Sequence, residues 1–282
     1  MTRAEALRLA IARLRDAGLD ERAADDARQL LAKASGLSRT ALITDMGQEQ
    51  PPEEVARFET LVTRREAREP LSHILGSVGF WTLELEVNGD VLTPRADTET
   101  VIEAALDTFL DRSAPLNILD IGTGSGAIAL ALLSEFPSAR AIATDLSESA
   151  LAVAARNAQR NGLAERLTLV KTHWTDGLDG SFDLIVSNPP YIATSVIDTL
   201  EPEVKRFEPR LALDGGVEGL DPYGHLIGEA KRLLSPRGVA VFEIGFDQGA
   251  ALQHKVEAAG ARGEILQDLA GLDRVVRFQF AP

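Results

Sequence analysis

Leu116-Asn117-Ile118-Leu119-Asp120-Ile121-Gly122-Thr123-Gly124-Ser125-Gly126-Ala127-Ile128-Ala129-Leu130-Ala131-Leu132-Leu133 reads as a buried strand, a glycine turn and a helix in direct succession. The apolar run ending at Ile121 has strand length, and the alanine- and leucine-rich run after Gly126 favours a helix. The glycines carry no Cβ, so this backbone can pass close to a ligand. The helix start offers unpaired N–H groups at the same place. Outward from this unit the alternation repeats. Ala141–Asp145 is a strand, and a helix capped by Ser147 runs to Asn161 and stops at Gly162. Leu167–Val170 and Phe182–Val186 are strands, Leu226–Leu234 a helix, Val239–Ile244 a strand and Leu252–Ala259 a helix; Ile265-Leu266 and Val275–Phe278 are the last strands. Such alternation predicts an α/β fold with a mostly parallel sheet covered on both faces.

The chain before this region differs. Residues 1 to about 70 carry apolar positions at helical spacing: Ala6, Leu7, Leu14; then Ala23, Ala27, Leu30, Leu31; then Val55, Phe58, Leu61, Val62. Gly18 and Gly36 are expected stops, Asp20 and Ser38 expected N-caps, and Pro52 an expected helix opener. This predicts a small helical bundle over 1–72. It holds no ionisable cluster typical of a site, which suits a packing or interaction module. Phe80–Val87 alternates as a half-exposed strand, Asn88-Gly89-Asp90 is a hairpin turn signal, and Val91–Thr93 is the expected return strand. The expected boundaries are therefore a helical domain over 1–72, a β-hairpin linker over 73–99 and the α/β domain over 100–282.

Bulk properties narrow the function. Of 282 residues, 45% are hydrophobic and 26% charged, a composition suited to a soluble globular chain. There are no cysteines, which excludes disulfides, a Cys nucleophile and Cys-based zinc sites. The absence also fits a reducing cytoplasm. No apolar run approaches the roughly 18 residues of a membrane span. Met1-Thr2-Arg3-Ala4-Glu5 opens a charged amphipathic helix rather than a signal peptide. A net charge of −14 opposes a direct grip on nucleic-acid phosphates. It allows a basic protein partner or a cationic cofactor. The four histidines show no paired ligand spacing, so no metal site is expected.

Asp145 ends the next strand, 19 residues after Gly126. A carboxylate there can accept two hydrogen bonds from a ribose diol. The glycines are spaced Gly-x-Gly-x-Gly, tighter than the Gly-x-Gly-x-x-Gly of dinucleotide sites. By this reading NAD and S-adenosylmethionine both fit. Trp174, in the loop after the third strand, could lie against an adenine or simply cap the core. Ser187-Asn188-Pro189-Pro190-Tyr191 closes the strand Phe182–Val186. Two prolines stop the strand, and an amide and an aromatic ring then sit at the sheet edge where ligands bind. Taken alone, the motif is equally an ordinary strand-ending turn.

The glycine loop with Asp120 before it resembles motif I of class I S-adenosylmethionine methyltransferases. Asn-Pro-Pro-Tyr resembles the motif of enzymes that methylate a planar NH2. The whole chain is similar to the PrmC/HemK family, bacterial glutamine N(5)-methyltransferases of peptide chain release factors. Leu92–Glu99, Leu119–Gly126, Ile185–Ile192, Glu208–Gly216 and Gly219–Asp221 carry the resemblance. It implies a Rossmann-like seven-stranded sheet joined by a β-hairpin to a helical domain that helps dock the protein substrate. It implies that Asp120, Gly122, Thr123, Gly124, Ser125, Gly126, Asp145, Leu146, Trp174 and Asn188 contact S-adenosylmethionine. Asn188, Pro189, Pro190 and Tyr191 would grip the glutamine of a Gly-Gly-Gln motif in class-1 release factors, with Asn188, Pro189 and Tyr191 as the catalytic set. A cytoplasmic monomer with no membrane or nucleic-acid contact is expected. Glutamine methylation of a ribosomal protein, and adenine methylation of nucleic acid, are the alternatives. The chain departs from the family at Ala96, where a second proline is usual, and at Ser72-His73, where Gln-Tyr is common.

Overall fold

The structure is a computed structural model and describes residues 1–281. The chain divides into two compact units, one of residues 1–76 with 201–207, the other of 77–200 with 208–282.

The smaller unit is helical: α1 (Arg3–Asp16), α2 (Ala23–Ser35), α3 (Arg39–Asp45), α4 (Pro52–Glu66) and α5 (Leu71–Leu75). Thr2 and Glu5 form a capping box at the start of α1, so two orphan N–H groups are satisfied there. Ser38 caps α3 by accepting from the Ala41 N–H, and Pro52 opens α4. Asp20 is not the cap of α2: that helix starts after Arg22 with no side-chain cap. Leu14, Leu30, Leu31, Phe58 and Val62 fill the core. Arg65 is only 2% exposed. Its guanidinium is met by Asp26 at 2.7 Å and by Glu203 at 3.0 Å. Glu203 belongs to the short helix α9 (Pro202–Phe207), a segment distant in sequence that folds as part of this unit.

In the larger unit β1 (Ser77–Phe80) and β2 (Leu83–Glu86) form a two-stranded antiparallel hairpin. Its turn is at Trp81-Thr82, with Trp81 at φ 54°, and not at Asn88-Gly89-Asp90. The Asn88 side chain accepts from the Asp90 N–H, making a local turn. Val87 and Val91 then pack on Ala150 and Val153 instead of pairing as strands. The hairpin is bound into its own unit by Asn157, whose side chain accepts from the Glu86 N–H and donates to the carbonyls of Glu86 and Ser125.

Seven further strands among the described residues form one sheet: β3 (Asn117–Ile121), β4 (Arg140–Asp145), β5 (Leu167–Lys171), β6 (Phe182–Ser187), β7 (Leu234–Glu243), β8 (Ala261–Gln267) and β9 (Asp273–Phe280). Their order is β5-β4-β3-β6-β7-β9-β8, with β9 antiparallel to both neighbours and the other pairings parallel. Side chains alternate between two cores, as the strand period of two requires. Ile118, Leu184, Val186 and Val241 face helices α6 (Glu99–Thr108) and α7 (Ala127–Glu135). Leu119, Ile185, Ala240 and Phe242 face α10 (Asp221–Leu233) and α11 (Gly249–Ala258). Helix α8 (Glu148–Arg160) follows β4, capped by Ser147 as expected. The mostly parallel α/β sheet read from the sequence is present, with both faces covered.

Candidate active site

Strands β3 and β6 are parallel neighbours with Ile121 opposite Ser187, so the loops that leave them emerge side by side. The Ser187 hydroxyl donates to the Ile121 carbonyl at 2.7 Å, tying the two strand ends together.

The glycine loop is closed by groups close to it in the fold's first βαβ unit. The N–H groups of Gly122 and Thr123 both donate to the Thr144 carbonyl at 2.9 Å. Asp120 is 1% exposed and lies behind the loop, accepting from the Thr123 hydroxyl at 2.6 Å and the Ala129 N–H at 3.3 Å. Burial, with Asp145 nearby, pushes its carboxyl up to about 7 against those two hydrogen bonds. Gly126 adopts φ 84°, and a Cβ there would lie 3.2 Å from Leu130 and 3.3 Å from Ala154, so the third glycine lets the helices close. Asp145 ends β4. Its carboxylate accepts from the Gly124 N–H at 2.9 Å and the Ser147 N–H at 2.8 Å. An ionised carboxylate has about four lone-pair sites, so acceptor capacity remains for a diol.

These loops bound one cavity of about 690 Å³. Gly122, Thr123, Gly124, Ser125, Asp145, Leu146, Trp174, Asn188, Pro189 and Pro190 line it. Asp120, Gly126 and Tyr191, the other expected site residues, do not; Asp120 and Gly126 shape the loop from behind. Trp174 holds φ 51°, a conformation that a bulky side chain adopts only under constraint from its surroundings. Its ring packs near those of His173 and His225, at 5.7 and 6.5 Å between centroids. An indole wall, a carboxylate at a strand end and a glycine-rich loop fit a nucleoside bearing a short polar tail. No group of three His, Cys, Asp or Glu side chains that could hold a metal occurs among the described residues.

The Asn-Pro-Pro-Tyr loop is held differently. The Asn188 Nδ2 donates to the Thr98 hydroxyl at 3.4 Å. The Tyr191 hydroxyl turns away from the cavity and donates to Glu243 Oε1 at 3.1 Å. Burial beside Glu243 raises the Tyr191 phenol well above its ordinary range. Glu243, at the end of β7, is 1% exposed, and burial pushes its carboxyl up to about 7. Thr98, Tyr191, Arg274 and Arg95 pull the other way. Gln248 donates from Nε2 to the carbonyls of Tyr191 and Gly219, at 3.0 and 3.1 Å, and accepts from the Gly245 N–H. Gly219 sits at φ 72°, and a Cβ on it would lie 2.2 Å from the Tyr191 carbonyl oxygen. Thr98, Glu243, Gln248 and Gly219 were not singled out as site residues. One signal was present: Glu243 interrupts the apolar run Val239–Ile244, and a charge inside a buried strand needs a partner.

Comparison with known proteins gives concordant matches. A family model described as the PrmC N-terminal domain matches residues 5–76, and one described as the methyltransferase small domain matches residues 101–205. A release factor glutamine methyltransferase from Caulobacter vibrioides is 48% identical over 266 residues, covering 94% of this chain and 91% of that protein. One from Cereibacter sphaeroides is 47% identical over 278 residues, covering 98% of each. Among solved structures, a methyltransferase from Pyrococcus furiosus aligns with a TM-score of 0.52 at 20% identity, over 71% of this chain and 90% of that one. The N-terminal domain of human METTL16 in complex with SAH aligns with a TM-score of 0.51 at 18% identity, over 81% of this chain and 83% of that one. At these identities the structural likeness speaks to the fold.

Proposed function

The chain belongs to the release factor glutamine methyltransferase family, and from that premise we propose that it methylates the side-chain amide nitrogen of the glutamine in the Gly-Gly-Gln motif of class-1 release factors. The methyl donor is S-adenosylmethionine. The observation that carries the reading is the shared cavity, where a carboxamide at the end of β6 stands beside the glycine loop at the end of β3.

Asp145 takes the ribose hydroxyls, Trp174 and Leu146 wall the base, and the loop Gly122–Ser125 lets backbone approach the rest of the donor. The donor supplies an electrophilic methyl on a cationic sulfur, and the S–CH3 bond breaks as the N–CH3 bond forms. An amide nitrogen is a poor nucleophile because its lone pair is delocalised into the carbonyl. Asn188 Oδ1 and the Pro189 carbonyl accept its two N–H hydrogens and aim the nitrogen at the methyl. Two such bonds, made to donors that grow more acidic as the C–N bond forms, contribute about 1–3 kcal/mol each in a dry site. Pro190 and Tyr191 stiffen the turn. No side chain is needed as a base, since the methylated nitrogen sheds its extra proton readily to water. The helical unit, which matches the PrmC N-terminal domain, serves in docking the protein substrate. The enzyme would act as a monomer in the cytoplasm, where release factors work.

The test is transfer of labelled methyl to purified release factor, ribosomal protein and DNA, with mass mapping of the product. Label on the Gly-Gly-Gln glutamine is expected. Label confined to ribosomal protein or DNA overturns the reading.

A further inference from the structure

We propose that Thr175 and Glu229 are positioning residues for the methyl donor: together they clamp the turn that presents the Trp174 indole to the cavity. The inference rests on the reading of Trp174 as a wall for the donor's base.

Trp174 is poorly suited to the backbone it occupies. It is the first central residue of a turn closed by the Asp176 N–H, which donates to the His173 carbonyl at 3.0 Å. Its φ of 51° lies where glycine or asparagine sits readily and a bulky residue does not. A turn free to relax would return this residue to negative φ and swing the indole from its place. In the folded chain the ring stays at the glycine loop: a Cβ on Gly122 would lie 3.9 Å from Trp174 Cζ3. A residue held in such a conformation needs surroundings that over-determine it.

Helix α10 supplies them. Thr175 is fully buried, and its hydroxyl donates to Glu229 Oε2, 54 positions away in the chain. Arg232, three residues on, donates to the same oxygen from Nε at 3.2 Å and from Nη2 at 2.5 Å. Its Nη1 donates to the Leu178 carbonyl at 2.8 Å. The helix thus grips the turn at both Thr175 and Leu178. Inside the turn, the Leu178 N–H donates to the Thr175 carbonyl and the Thr172 hydroxyl to the Asp176 carbonyl, each at 2.9 Å. The Arg232 guanidinium holds the Glu229 carboxyl below its ordinary range, so it stays an ionised acceptor. A hydroxyl bonded to a carboxylate is held more strongly than one bonded to a neutral group. His173 and Trp174 line the cavity, and Thr175 and Glu229 do not. They act on the donor through the indole alone. The wall stands before the donor arrives, so binding does not have to order it.

The test measures affinity for S-adenosylmethionine, S-adenosylhomocysteine and adenosine by calorimetry, with kcat for release factor at saturating donor and a thermal melt. The proteins are the wild type, Thr175→Val, Thr175→Ser, Glu229→Leu and Trp174→Ala. Thr175→Val should weaken all three ligands by about tenfold, the scale of one lost bond to a charged group. The factor is the same for each because they share the base and ribose and differ in the tail. Saturated kcat stays within about twofold, since the clamp touches nothing on the reacting side. A general loosening of the fold would not split affinity from kcat in this way. Thr175→Ser keeps the hydroxyl and restores affinity, and Glu229→Leu matches Thr175→Val. In a Trp81→Phe background Trp174 is the chain's single indole. Its emission should move to longer wavelength in Thr175→Val, as the ring meets water. Unchanged affinity in Thr175→Val or Glu229→Leu, beside weakened binding in Trp174→Ala, overturns the proposal. If Thr175→Val fails to fold, Glu229→Leu, altered at a partly exposed side chain, decides. A Trp174→Ala variant that binds the donor at full strength is a different failure, that of the wall reading itself, and the proposal falls with it.

Discussion

The two loops that meet at the cavity look alike in the chain and are built in opposite ways. The glycine loop is closed by Asp120, Thr144 and Asp145 of its own βαβ unit, with Asn157 of the next helix donating to the Ser125 carbonyl. The Asn188–Tyr191 loop is held by Thr98, Gly219, Glu243 and Gln248, from segments 28 or more residues away in either direction. The cofactor side is thus a local device that any such unit can carry. The reacting side is assembled by the tertiary structure, so it can be disabled without touching the cofactor side.

Four substitutions test that separation, from the largest effect to the smallest. Asn188→Ala removes the proposed acceptor and should lower kcat by about 100- to 1,000-fold, the loss typical of one transition-state hydrogen-bond partner. Calorimetry should find cofactor affinity within about tenfold; near-normal turnover would refute the hydrogen-bond role. Gly219→Ala places a Cβ against the Tyr191 carbonyl at positive φ and should cost about 2–3 kcal/mol of stability. A thermal melt lowered by about 5 °C or more checks it. Turnover falls too, but the cofactor still binds. Asp145→Ala acts on the opposite loop. It should weaken S-adenosylmethionine binding by about 10- to 100-fold, as expected for losing charge-assisted bonds, with kcat at saturating cofactor changed far less. A drop in saturated kcat equal to that of Asn188→Ala would erase the distinction between the loops. Gln248→Leu unpins the Tyr191 carbonyl and should cost about 1 kcal/mol, read as a few-fold loss of kcat at unchanged cofactor affinity.

Much of this was legible in the sequence because it is written in short-range pattern. The strand–glycine–helix unit, the acid ending β4, the Ser147 cap and the prolines ending β6 each depend on residues a few places apart. The hairpin was misplaced for a related reason. Asn88-Gly89-Asp90 is a sound turn signal, yet Val87 and Val91 gain more by burial on α8 than by pairing, and the turn moved to Trp81-Thr82. Asp20 likewise has a capping side chain but lies too early, since α2 begins at Ala23.

What the sequence by itself determined is the sheet, the nucleoside-type loop and the presence of an amide at the neighbouring strand end. Periodicity and turn chemistry are properties of neighbours along the chain, and they survive without knowledge of the fold. What only the tertiary structure decided is which distant groups hold the loop that carries that amide. Thr98 lies 90 positions from Asn188 and Glu243 lies 52 from Tyr191, and these pairs met when β7 settled beside β6 and α6 packed across both. A buried carboxyl and a buried phenol in a dry interior need hydrogen-bond partners. No local pattern specifies those partners, and burial enforces them.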